Sequence, residues 1–180
     1  MKWNLGRGLV AVSLAVHASA EVAVAFPNEP HGFGPLRFGM SVAAVKKHYP
    51  AVRPKTADTF LAFYDLENQS VLGLKPCNLE MRFVDDKLYD IQFQCEPRTK
   101  VPETLKRRFG EAYQVGPAGT FWIGSTSSVG LNARSNVFAF THRALNDVVQ
   151  QKMLHYLATQ SAPRQSPGVA PAPAPTASAP

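Results

Sequence analysis

The stretch "CNLEMRFVDDKLYDIQFQC", residues 77–95, decides how this chain folds. Folded about Asp86, it sets Cys77 opposite Cys95, Leu79 opposite Phe93, Met81 opposite Ile91 and Phe83 opposite Tyr89. Every odd position on both arms is then apolar or cysteine. The even positions pair Asn78 with Gln94, Glu80 with Gln92 and Arg82 with Asp90. Successive side chains of a strand point to opposite faces, so this alternation predicts a half-buried antiparallel hairpin. A slip of one residue would turn every apolar side chain outward, and a single register satisfies both faces. Arg82 opposite Asp90 adds a cross-strand charge pair worth about 0.2–1 kcal/mol. The tip reads as a three-residue loop, Asp85-Asp86-Lys87, although lysine suits poorly the left-handed conformation such a loop wants last.

The chain has two cysteines, Cys77 and Cys95. Directly opposed strand residues lie about 4.5–5.5 Å apart at Cα, within disulfide reach. In an oxidising compartment an even pair reads as a bridge before it reads as catalytic thiols. Such a bridge would add ~3 kcal/mol in the chain-entropy picture. The N-terminus argues for that compartment. "MKWNLGRGLVAVSLAVHASAEVAVAF" opens with Lys2 and Arg7, runs through apolar residues 9–16 and reaches small residues at Ala18 and Ala20. This predicts a signal peptide over residues 1–20, cut after Ala20 or, at a second small-x-small site, after Ala25. A membrane anchor is the competing reading, but its uninterrupted apolar run falls short of the ~20 residues that span a bilayer. No cysteine near the cut offers a lipid attachment point. The expected location is periplasmic or secreted.

Residues 21–30 then read as a linker, 31–158 as one domain, and 159–180 as an Ala/Pro-rich tail expected to be disordered. A proline-rich ligand for a partner domain is the functional alternative for that tail. Within the domain, Ser41 caps a helix that Pro50 stops. "VPETLKRRFGEA" supplies a second helix, with Pro102 in its first turn and Gly110 at its end. "THRALNDVVQQKMLHYL" supplies a third, capped by Thr141. Strands are expected over 60–66, 70–74, the cysteine hairpin, 120–124, 128–133 and 137–140. The fold class is α+β: an antiparallel sheet of six or seven strands with the helices mainly on one face. "VKKHYP" from Val45 and "LKRRFG" from Leu105 match in chemical type sixty residues apart. Either an αβββ unit is duplicated and closed by the last helix, or a common helix ending occurs twice.

"GFGPLRFGMSVAAVKKHYP", from Gly32, resembles a phosphate-binding loop only superficially. Arg37 stands where a dinucleotide fingerprint needs its third glycine, and no buried strand precedes it. A P-loop would need a lysine before Ser41. Leu36 and Phe38 are expected in a short strand, turned by Gly39. The part "LRFGMSVAAVKKHYP" resembles the G-M-[ST]-x-x-x-V pattern of small exported envelope domains of the BamE (SmpA/OmlA) family. The fold implied is an antiparallel sheet with helices on one face, of a kind duplicated in tandem in the beta-lactamase inhibitory protein. The resemblance implies a non-enzymatic binding or assembly role and transfers no functional residues. BamE proteins are lipoproteins with their helices first, and this chain has no lipid-attachment cysteine and more strands.

Sequence chemistry is sparse. His31, His48, His142 and His155 have no metal-ligand spacing. Ser125–Ser128 could hold a nucleophile served by His142 and Asp147, but no G-x-S-x-G elbow surrounds it. Asp85 and Asp86 read as turn residues rather than an acid pair. No catalytic residue, cofactor or metal is assigned. The chain is +6, and removing Lys2 and Arg7 leaves +4. Lys46, Lys47 and His48 on one helix and Lys106, Arg107 and Arg108 on another could meet an envelope protein or an anionic surface. The competing reading, favoured here, is that they complement helix C-terminal dipoles. Nucleic-acid binding is not expected, since no aromatic stacking motif accompanies the basic residues. The functional expectation is an exported, non-catalytic binding or accessory protein, which a groove lined by Phe63, Trp122 and other aromatics would favour. The alternative is a small secreted hydrolase with a dispersed active site.

Overall fold

The computed structural model describes residues 26–161, apart from 118 and 136, with Ser161 described in its backbone only. The expected signal peptide, both cleavage sites and the chain beyond 161 lie outside the described residues. Eight antiparallel strands form one sheet: β1 (Arg53–Ala57), β2 (Leu61–Val71), β3 (Leu74–Val84), β4 (Lys87–Cys95), β5 (Gln114–Gly116), β6 (Gly119–Ile123), β7 (Ser127–Asn132) and β8 (Phe138–His142). Three α-helices accompany them: α1 (Val42–His48), α2 (Val101–Phe109) and α3 (Arg143–Ser161). The sheet order is β1-β2-β3-β4-β8-β7-β6-β5, so it reads alike from both edges. Each half is a helix followed by a four-stranded meander, and the last strands of the two meanders pair at the centre. The expected count of six or seven strands and the αβββ unit are thereby corrected to eight and αββββ. The strands added are β1 and β5, the two edges. Their sequences, "RPKTA" and "QVG", lack an apolar face, because an edge strand needs little burial and is guarded by charge, proline or shortness. The expected strands 60–66 and 70–74 are corrected to the single strand β2, which runs through residue 71 before the turn at Leu72 and Gly73 leads into β3.

The hairpin register matches the sequence at Cys77–Cys95, Asn78–Gln94, Leu79–Phe93, Glu80–Gln92, Met81–Ile91 and Arg82–Asp90. Near the tip it departs. Phe83 faces Leu88 rather than Tyr89, and Val84 faces Lys87. The tip is a two-residue turn, with Asp85 at φ 48° and Asp86 at φ 59°. Left-handed backbone at both central residues matches the twist of a tight hairpin, which relieves Lys87 of that conformation. The register shift between Arg82 and Phe83 marks a bulge at Tyr89 that restores the pairing beyond it. Cys77 and Cys95 are joined, with S–S 2.03 Å.

The main core is built from the odd arm of the hairpin together with Leu131, Phe138 and Phe140, and from Val45, Val101, Leu105 and Phe109 of α1 and α2. Phe93 stacks on Phe138 with centroids 4.7 Å apart, which seals the seam between the halves. Val45 and Leu105, the matched positions of "VKKHYP" and "LKRRFG", are both fully buried. Residues 36–38 form no strand. Leu36 is buried in a turn, and Gly39 N and Met40 O instead exchange hydrogen bonds with Leu88 at 2.8 and 2.9 Å. Ser41 caps α1 by accepting from the Ala44 amide at 3.2 Å. Asp86 at the hairpin tip accepts from Val42 N at 2.9 Å, and Asp85 pairs with Lys152 of α3 at 2.8 Å. The two turn carboxylates therefore pin helices to the hairpin. Thr141 does not cap α3. It lies in β8, and His142 Nδ1 accepts from Leu145 N at 3.2 Å in its place. α3 completes a smaller cluster of Val84, Tyr89 and Val149, with Phe60, Leu61 and Leu145 against it. Val84 follows Phe83 along β3, so strand alternation puts this cluster on the other side of the sheet from the main core.

Candidate functional site

That second face is where the polar half of the hairpin pattern goes. Glu80 and Arg82 of β3 lie beside Phe63 and Asp65 of β2 and beside Asp90 and Gln92 of β4, as the pairings require. Lys55 of β1 reaches over them, bonded to Glu80 and 3.6 Å from Asp65. Arg82 Nη2 meets Glu80 at 2.7 Å, and its Nε is 3.7 Å from Asp90 Oδ2. The guanidinium sits 5.7 Å from the Phe63 ring centroid, a cation–π contact. A hollow of about 280 Å³ opens among these residues, bounded by Lys55, Asp65, Glu80, Gln92 and Gln94.

The charges along this face are set by different causes. Burial raises the Glu80 carboxyl, but hydrogen bonds from Lys55 and Arg82 outweigh it and leave it lowered. The bond to Glu80 holds the Lys55 ammonium above its ordinary range. Asp90 is 4% exposed, and burial pushes it up despite Arg82 and Thr141. Its Oδ1 accepts from the Thr141 hydroxyl at 2.5 Å, while the buried Oδ2 accepts no hydrogen bond. Burial, and then the Asp90 charge, push the neighbouring Tyr89 phenol up to about 12. Toward the other half the face becomes less charged: Phe121 leans over Gly130, where an added Cβ would come within 3.3 Å of its ring.

Trp122 does not join Phe63 here. It is 2% exposed in the main core, and its Nε1 donates to Gly110 O at 3.0 Å. Phe63 and Trp122 therefore line no common groove: strand parity sends Phe121 rather than Trp122 to the second face. The basic helix ends are exposed. Lys106 pairs with Glu111 and Arg107 with Glu103, each at 2.8 Å, and Lys46 lies 5.4 Å from the Tyr64 ring centroid. Among the described residues, no group of three or more His, Cys, Asp or Glu could hold a metal ion.

The serine-rich turn has a partner that the sequence did not indicate. Glu29 reaches it from the stretch read as linker, and its two oxygens accept from the amides and hydroxyls of Ser125, Thr126 and Ser127 at 2.7–3.3 Å. Burial raises this carboxyl, but the amides of Thr126 and Ser127, the Thr126 hydroxyl and the Ser125 amide outweigh it and hold it at about 2. Ser127 pairs with His142 across β7 and β8, yet the polar atoms turn apart: Ser127 Oγ to Glu29, His142 Nδ1 to Leu145 N. Asp147 lies on the exposed side of α3. Among the described residues, no helix is long and apolar enough to cross a membrane. No family, no curated protein and no solved structure matches the chain.

Proposed function

We propose that this protein is an exported, non-catalytic binding or accessory module of the bacterial cell envelope, and that it engages its partner through the second face of the sheet. The observation that carries this reading is the Lys55–Glu80–Arg82–Asp90 network beside Phe63. The Lys55, Glu80 and Arg82 side chains are partly exposed while Asp90 is buried, so the alternating charges present a pattern that a complementary surface can match. The buried disulfide supports a compartment outside the cytoplasm. The resemblance of residues 36–50 to envelope interaction domains points the same way.

The test places a photo-crosslinking residue at Gln92 on this face, and separately at Lys47 on α1, in producing cells. A discrete adduct from Gln92, lost when Phe63→Ala and Lys55→Glu are combined without a change in melting temperature, is the expected result. Adducts from Lys47 and none from Gln92 would move the site to the basic helix ends. The alternative, a small secreted hydrolase with a dispersed active site, would need a serine of the 125–127 turn to be activated, and the carboxylate on that turn is Glu29. A carboxylate held at about 2 is a poor general base for a serine proton, and the hydroxyl already donates to it. Covalent labelling of Ser125 or Ser127 by a fluorophosphonate would reverse that judgement.

A further inference from the structure

Residues 26–30 cross the end of α2 and the β6–β7 turn as a short strap. Phe26 meets Phe109 edge to face at 5.6 Å, the Asn28 amide donates to Arg108 O at 2.9 Å, Glu29 enters the serine turn, and Pro30 is buried. The strap does not continue the sheet. It is held as a bound peptide would be, by an aromatic anchor, one backbone contact and one carboxylate.

The receiving turn is shaped for that carboxylate. Ser127 is fully buried with its Oγ 3.3 Å from Glu29 Oε1, and Thr126 N and Ser127 N each donate to the same oxygen at 2.7 Å. Gly124 leaves the space: an added Cβ would stand 2.3 Å from the Glu29 carboxyl carbon. Arg143 fixes the turn from behind, its amide donating to Thr126 O at 2.9 Å and its Nη1 to Gly124 O at 2.6 Å. With those two carbonyls held, the amides of the turn are left facing the strap. All six donors to Glu29 are uncharged, so the site selects by donor geometry, which suits a carboxylate with two in-plane acceptor oxygens.

We propose that the groove formed by Phe109, Arg108 O and the Gly124–Ser127 turn is a binding site for an extended acidic peptide of the form aromatic-x-x-Glu, and that the chain's own residues 26–29 occupy it in cis. A tethered ligand acts at an effective concentration of about millimolar, so a partner segment enters only when it outcompetes or displaces the strap. This site is distinct from the charged face proposed above and does not depend on it.

The experiment uses the full chain with Phe26→Ala and Glu29→Ala combined, which empties both anchors, and the acetylated, amidated pentapeptide FPNEP as probe. Binding is read by titration calorimetry and by the amide resonances of residues 125–127. The double variant is expected to bind FPNEP at least tenfold more tightly than it binds FPNQP, and at least tenfold more tightly than the wild-type chain binds FPNEP. Adding Gly124→Ala should abolish binding. Equal affinity for the two peptides, or equal affinity of wild type and variant, overturns the proposal. Should the double variant fail to fold, Glu29→Ala alone is melted in sodium acetate and in sodium chloride at equal ionic strength. A saturable rise of several degrees specific to acetate supports the carboxylate site, and identical curves overturn it.

Discussion

Two carboxylates in two regions of this sheet face opposite situations. Asp90, at the seam between β4 and β8, is almost completely buried, with one oxygen on Thr141 and the other accepting no hydrogen bond. Glu29, at the β6–β7 turn, is only partly buried and takes six uncharged donors. Burial raises both, and the donors reverse the outcome for Glu29 alone. The state of each acid is therefore set by its burial together with the number of donors aimed at it.

The largest way to break this contrast is to open the seam on which both regions depend. Phe93→Ala removes the ring stacked on Phe138 and packed 4.7 Å from Phe140, and is expected to cost about 3–5 kcal/mol in denaturant unfolding. A loss below about 1 kcal/mol would mean that the halves cohere by other contacts. Reduction of Cys77–Cys95 comes next, at about 3 kcal/mol. It should separate the regions: hydrogen exchange is expected to rise in β3 and β4 while the amides of residues 125–127 stay protected by Glu29.

The two acids should then respond to pH with opposite sign. The Glu29 carboxyl is lowered from 4.5 to about 2, so its stabilisation is fully present above 4.5 and is lost as pH falls toward 2. Glu29→Gln is expected to cost about 1 kcal/mol at neutral pH, a value discounted for solvent exposure, and the deficit should vanish in that acid window. Asp90 is raised above its ordinary 3.8, so its contribution is greatest below 3.8 and declines as pH rises through its folded value. Asp90→Asn should therefore leave the protein as stable or up to about 1 kcal/mol more stable at neutral pH, with the difference closing in acid. Thermal melts of both variants from pH 2 to 8 check the two signs in one series. If Asp90→Asn loses stability as pH rises, the Arg82 pairing outweighs burial at the seam.

Much of the cysteine hairpin was legible because β3 and β4 are long and alternate strictly. Six of the hairpin pairs follow from parity alone, and the Cys77–Cys95 and Arg82–Asp90 pairings follow with them. The second half has strands of three to six residues, too short for alternation to speak, and the edge strands β1 and β5 carry no apolar face, so neither is legible from pattern. Thr141 is a good cap for α3 by residue type, but β8 runs on through it and its hydroxyl donates to Asp90. Of the candidate sites, the alternation did mark Glu80, Arg82, Asp90 and Gln92 as one polar row. Nothing local marked Glu29, whose partners lie almost a hundred residues away; a serine-rich turn beginning with glycine was the available signal, and it names no ligand.

The sequence by itself determined what depends on neighbours along the chain: the hairpin and its register from Cys77–Cys95 to Arg82–Asp90, the disulfide pairing, three helices and the repeated helix ending. Only the tertiary structure decided that β4 and β8 would meet as a seam, that Asp90 would be buried there, and that Glu29 would dock in the serine turn. The physical reason is range. Periodicity and capping act over a few residues, whereas burial and donor convergence depend on segments brought together by the packing of the whole sheet.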